Sequence, residues 1–151
     1  MPSIGLVVFE GFQVMGMAAL SAFEFANLTA GRPVYDVQIL SERGGPVRSS
    51  LGFTVDTVPF GEAVADTTMT LGTLAVEPAP PAVLDYLRRA SSGSRRIAGI
   101  CTGAFVLAEA GLLDGRAATT HWAFARTLRE RYPGVKVEED RIFRVDGPVW
   151  T

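Results

Sequence analysis

Ile97-Ala98-Gly99-Ile100-Cys101-Thr102-Gly103-Ala104-Phe105-Val106-Leu107 decides how this chain folds. Ile97 to Ile100 reads as a short buried strand. Ala104 to Leu113 reads as a helix that is apolar nearly all round and therefore buried. Between them, Gly99-Ile100-Cys101-Thr102-Gly103 has the G-x-nucleophile-x-G layout of a sharp strand-to-helix turn, the nucleophile elbow. The turn forces its central residue into a strained backbone conformation, and glycines on either side let neighbouring elements approach. A thiol gains twice at such a place. The helix N-terminus favours the thiolate, and the free N–H of Thr102 points where an oxyanion would develop.

Working outward, the same strand–helix alternation recurs. Ile4 to Phe9 is a continuous apolar run, the pattern of a strand buried on both faces. A helix is predicted from about Phe12 to Leu28, with Val14, Met15, Ala18, Phe25 and Leu28 recurring near a 3.6-residue period. Gly31-Arg32-Pro33 breaks it, and Tyr35 to Leu40 alternates like a strand. Pro46 to Phe60 reads as an appended hairpin and Thr67 to Leu71 as a further strand. Pro80-Pro81 opens a helix carrying an apolar stripe of Val83, Leu84, Leu87 and Ala90, with Ser91 to Ser94 as the loop after it. Beyond the elbow helix, Thr119-Thr120 is expected to cap a helix from Trp122 to Tyr132. Val135 to Trp150 forms two β-like pieces around Asp146-Gly147. Alternating strands and helices predict an α/β domain, a doubly wound and mostly parallel sheet with helices on both faces. Such a sheet normally continues into a covering helix after its last strand. The expectation is therefore one domain over 1–151, truncated at its C-terminus.

Composition narrows the function classes. The chain has 151 residues, 48% hydrophobic and 20% charged, with a net charge of −2. That balance gives no electrostatic case for this segment gripping nucleic acid or an anionic membrane. No apolar run reaches the roughly 18 residues of a membrane span, and no basic leader opens the chain, so the expected location is the cytoplasm. One cysteine forbids an internal disulfide, and one histidine leaves too few soft ligands for an ordinary zinc site. No metal and no cofactor are expected.

Each candidate residue also has a plainer reading. Cys101 could be a small core hydrophobe, since free cysteine is often buried. The strand, the two glycines and the helix favour a pocket-facing elbow instead. His121 is the one available imidazole, either a structural residue at a helix start or the partner of a Cys–His pair. Gly72-Thr73, ending a strand, could aim backbone N–H groups into a crevice at the carboxyl ends of the strands, or simply close the strand. Met15 and Met17 read more readily as core than as pocket lining. Arg88-Arg89 and Arg95-Arg96 read as solvated charge.

Three stretches carry a family resemblance: Ile4 to Gly11, Ala98-Gly99-Ile100-Cys101-Thr102-Gly103-Ala104, and Ala118-Thr119-Thr120-His121-Trp122. Together they resemble the ThiJ/PfpI superfamily, whose members share the class I glutamine-amidotransferase-like, flavodoxin-like fold. More narrowly, Gly99 to Arg116, Phe23-Glu24-Phe25-Ala26-Asn27 and Asp146 to Thr151 resemble the N-terminal domain of certain AraC-family transcriptional regulators. The resemblance implies a sensor domain that binds a small-molecule effector around Gly16, Gly72, Thr73, Cys101, Thr102 and His121. It also implies DNA contact through a helix-turn-helix domain beyond residue 151, and a homodimer. Isocyanide hydratases share the elbow and the Thr-Thr-His segment, which leaves a cysteine-dependent hydratase or hydrolase as the alternative, with Cys101 and His121 catalytic. A thiol redox sensor is a third reading. Two departures weigh against catalysis. The position matching the family's carboxylate is Gly16, which can neither take a thiol proton nor orient a water. Gly72-Thr73 stands where many relatives have two glycines, and the β-branched Thr73 narrows the backbone of an oxyanion hole.

Overall fold

The computed structural model describes every residue from Met1 to Thr151. Its strands are β1 (Ser3–Val7), β2 (Asp36–Ser41), β3 (Gly45–Arg48), β4 (Thr54–Pro59), β5 (Thr67–Thr70), β6 (Arg96–Gly99), β7 (Ala117–Ala118), β8 (Lys136–Val137), β9 (Val145–Asp146) and β10 (Val149–Trp150). Its helices are α1 (Ala18–Ala30), α2 (Pro81–Gly93), α3 (Gly103–Glu109) and α4 (Ala125–Arg131). Eight strands make one sheet in the order β3-β4-β2-β1-β5-β6-β10-β9, while β7 and β8 pair separately. Every pairing from β4 across to β10 is parallel, and only the two edge hairpins, β3–β4 and β9–β10, are antiparallel. This is the doubly wound, flavodoxin-like sheet that the sequence predicts.

Side-chain alternation divides the core by face. Ile4, Leu6, Val8, Met69 and Leu71 pack with Leu20 and Phe23 of α1 on one face. Val7, Ile97 and Val149 turn the other way and join α2, α3 and Leu128 of α4. The order in which β1 lies between β2 and β5 makes a crevice at the carboxyl ends of the strands, where such sheets bind ligands.

Several boundaries differ from the expectation, each for a local reason. The first helix starts at Ala18 rather than near Phe12. Phe12 is fully buried and bridges Ser49 and Thr73, so the chain there is sheet-like. A single 3₁₀ turn, Val14–Met17, then follows, its Met15 N–H donating to Oε1 of Gln13 at 2.8 Å. The predicted stripe of α1 also points outward: Phe25 is 63% and Leu28 73% exposed, and it is Leu20 and Phe23 that pack on the sheet. Helix α2 absorbs Ser91, Ser92 and Gly93, and Ser91 Oγ donates a hydrogen bond to the Arg88 carbonyl at 2.7 Å instead of breaking the helix. Its buried stripe gains Tyr86, stacked on Phe60 with ring centroids 4.2 Å apart. Helix α3 stops at Glu109, ahead of Gly111 at φ +81°. Thr119 and Thr120 cap nothing; His121 caps a 3₁₀ turn, Trp122–Phe124, before α4. The β9–β10 hairpin turns at Gly147, φ +59°, as read.

Candidate ligand site at the cysteine elbow

Cys101 adopts φ +56°, a left-handed conformation that a non-glycine residue holds only when its surroundings impose it. The surroundings are unusually close. A Cβ at Gly103 would lie 2.2 Å from the Thr70 carbonyl oxygen, and one at Gly99 would lie 2.7 Å from the Ala104 nitrogen. Glycine is required at both positions for β5, β6 and α3 to meet. The elbow read from the sequence is present, with Cys101 at its apex.

Above it opens a crevice of about 510 Å³. Cys101 forms the floor, and Thr119, Thr120, His121 and Trp122 form one wall. Glu139, Asp140, Arg141 and Ile142 form the opposite wall, with Met15 and Thr151 closing the ends. Hydrogen bonds fix this shape. Thr120 Oγ1 donates to the Cys101 carbonyl at 2.9 Å, and Thr119 N–H donates to Thr151 Oγ1 at 2.9 Å. Thr119 Oγ1 reaches across to the Arg141 carbonyl at 3.2 Å. The threonines that composition suggested as caps therefore tie the walls to the floor.

The six residues expected around a ligand divide into two groups. Cys101 and His121 meet on the crevice. Gly16, Gly72, Thr73 and Thr102 lie behind the elbow. Gly16 is buried, its missing side chain leaving room for Leu71 and Ile100. A Cβ at Gly72 would sit 2.5 Å from the Thr102 carbonyl oxygen, so this glycine is a packing requirement. Thr102 Oγ1 donates to the Thr73 carbonyl at 2.9 Å, and Thr73 Oγ1 accepts from Glu77 N–H at 2.9 Å. These residues hold the elbow in place rather than line the space above it. Sequence reading missed Trp122, which is 81% exposed at the rim, and the whole wall from Glu139 to Ile142. Trp122 was marked only by its place beside His121; the other wall carried no signal, since its approach depends on the β9–β10 hairpin folding back.

The electrostatics disfavour an activated thiol. Burial pushes the Cys101 thiol above its ordinary pKa, and the Thr102 N–H opposes that only in part. His121 Nδ1 accepts from Ala123 N–H at 3.1 Å. That bond occupies the Nδ1 lone pair, which is therefore not free to take a proton from the thiol. The imidazole also stacks on Trp122, with centroids 5.4 Å apart. Glu139 is engaged by Arg129 at 2.7 Å, and Glu10, the acid nearest the first strand, is turned to Arg48 N–H at 3.4 Å. No group of three or more His, Cys, Asp or Glu side chains is arranged to hold a metal ion. The crevice can grip a small molecule by shape, apolar contact and hydrogen bonds.

The DJ-1/PfpI family model matches residues 3–151. The chain belongs to the DJ-1/PfpI family. Within that family its relatives include the HTH-type transcriptional regulator CdhR of Pseudomonas aeruginosa, 36% identical over 94% of this chain and 43% of the regulator. The HTH-type transcriptional regulator GlxA of Rhizobium meliloti is 39% identical over 98% of this chain and 47% of its own length. An isonitrile hydratase of Pseudomonas putida is 33% identical over 83% of this chain and 55% of the enzyme. The chain thus spans about half the length of these relatives. Among solved structures, an AraC family transcriptional regulator from Pseudomonas putida superposes with a TM-score of 0.84 at 22% identity, covering 99% of this chain and 82% of that one. That likeness shows the shared fold of the family.

Proposed function

We propose that this DJ-1/PfpI domain is the effector-sensing part of an AraC-type transcriptional regulator. One observation carries the reading: the elbow crevice keeps its architecture while burial raises the pKa of its thiol and Nδ1 of its histidine is taken by the Ala123 N–H. A sensor needs a site that binds a molecule and returns it unchanged. The two regulators similar over nearly the whole chain support the reading. In it, DNA is contacted by a helix-turn-helix domain beyond residue 151, and the protein works in the cytoplasm as a homodimer. The exposed apolar residues of α1, Ala18, Phe25 and Leu28, support a surface for the second copy. An effector bound in the crevice would bias the geometry of the pair and so the spacing of the DNA-reading domains.

The test is a thermal-shift screen of small metabolites followed by recovery of each hit. The expected result is a hit that raises the melting temperature, is recovered chemically intact, and still binds Cys101→Ala. The rival reading, a cysteine-dependent hydratase, is favoured by the left-handed Cys101 and the Thr102 N–H beside its sulfur. Turnover of an isocyanide that vanishes in Cys101→Ala would establish the rival and remove the sensor.

A further inference from the structure

Besides Cys101, Val76 is the only non-glycine residue with a positive φ, at +50°. A β-branched residue pays more than most for that conformation. Its side chain is buried in the main core, so the residue cannot relax by swinging into solvent. The carbonyl of Val76 instead accepts a hydrogen bond from Arg131 Nη1 at 3.0 Å, across 55 residues of sequence. The Arg131 guanidinium also lies 5.7 Å from the centroid of the Phe105 ring, on the helix that leaves the elbow.

The strained residue sits in the loop that leaves β5, and that loop reaches the elbow. Val76 N–H and Thr102 Oγ1 both donate to the Thr73 carbonyl, at 3.4 and 2.9 Å. At its far end, Ala79 N–H donates to the Glu109 carboxylate at 3.0 Å. The strained Val76–Glu77 peptide is held at both ends: its N–H, from Glu77, donates to Thr73 Oγ1 at 2.9 Å, and its carbonyl is held by Arg131, which reaches it from another helix. Relieving the strain would rotate that carbonyl off Arg131 and move the amide that helps fix Thr73, which in turn holds Thr102. The two left-handed side-chain-bearing residues of the molecule are thus joined through one carbonyl.

We propose that Arg131 is a positioning residue for the Cys101 elbow: it keeps the Val76 peptide strained, and the strained loop holds Thr102 and the crevice floor in place. The inference deepens the reading of the crevice as a ligand site, but its test needs no effector. Cys101 is the sole thiol, so intact mass after iodoacetamide treatment reports on the elbow alone. Arg131→Ala is expected to speed alkylation at pH 8 by about threefold or more, as a loosened elbow exposes the sulfur. Arg131→Lys keeps a donor and is expected to stay within about twofold of the parent rate. Should Arg131→Ala fail to fold, Arg131→Met keeps the stem over Phe105, loses the donor and carries the same expectation as the alanine.

The discriminating variant is Val76→Gly. Glycine holds a positive φ without strain, so the loop no longer needs its latch. Because Val76→Gly also gives up a buried side chain, the comparison is with that single variant: adding Arg131→Ala to Val76→Gly is expected to change its alkylation rate by less than about twofold, a non-additivity that a general loss of packing would not produce. A donor-less Arg131 variant that reacts at the parent rate overturns the proposal, and so does an Arg131→Ala effect as large in the Val76→Gly background as in the parent. If no effector is ever found, these rates are unaffected, so the sensor reading and the latch fail separately.

Discussion

Cys101 combines a reactive-looking place with an unreactive state. The elbow exposes its sulfur to the crevice, yet desolvation favours the neutral thiol. Iodoacetamide alkylation followed against pH should therefore give an apparent pKa above the roughly 8.5 of a free cysteine. A value well below it would mean that the Thr102 N–H outweighs burial. The linkage has a definite sign. A thiol whose pKa is raised by folding stabilises the fold below its unfolded pKa, and that contribution is lost as pH rises through the folded one. Cys101→Ala should accordingly lose less stability between neutral and strongly alkaline pH than the parent. Gly16 offers a second residue-scale test. An aspartate at that position would restore the family's acid only if it had room. A Cβ there falls 2.3 Å from Leu71 Cδ2 and 3.3 Å from Ile100 Cγ2. Gly16→Asp should destabilise the protein by about 1–3 kcal/mol in denaturant melts, from overpacking and a buried carboxyl. A gain of hydratase activity without loss of stability would show that the site can host the acid.

At the scale of elements, the turn between α1 and β2 hangs on one side chain. Asn27 Oδ1 accepts from the N–H groups of Val34 and Tyr35 at 2.8 and 2.9 Å, and its Nδ2 donates to the Tyr35 carbonyl at 3.0 Å. Phe23 closes the same turn, edge-on to Tyr35 with centroids 5.1 Å apart. The Phe23-Glu24-Phe25-Ala26-Asn27 stretch that resembles the regulators thus divides by face: Phe23 and Asn27 build the turn, while Phe25 looks outward. Asn27→Ala leaves two backbone donors without partners and should cost about 1–3 kcal/mol, measured as a lowered midpoint of urea unfolding. A shift within about 0.5 kcal/mol would mean that water replaces the side chain fully.

For the whole molecule, the open question is what covers α1. Phe25 and Leu28 stand exposed on its outward face, and in the homodimer reading a second copy lies on them. Phe25→Glu should shift the mass measured by light scattering from dimer toward monomer at micromolar concentration while the circular dichroism spectrum stays unchanged. A dimer that survives the glutamate places the interface elsewhere. No helix is long and apolar enough to cross a membrane.

Much of this was legible in the amino-acid sequence, because it is governed by local chemistry. Buried strands announce themselves as apolar runs, as Ile4 to Phe9 does. The elbow is visible because Gly99 and Gly103 are needed wherever a strand turns into a helix against its neighbours. The positions of Cys101 and His121 on one crevice followed from the family resemblance more than from spacing, which says nothing about distance in space. The tertiary structure alone decided the rest. It turned the α1 stripe outward, since periodicity defines a face but not what lies against it. It put Gly16, Gly72 and Thr73 behind the elbow, since room for a side chain depends on atoms remote in sequence. It also set the chemistry of the crevice, because the burial that raises the Cys101 pKa and the N–H that occupies His121 Nδ1 exist only once the chain is folded.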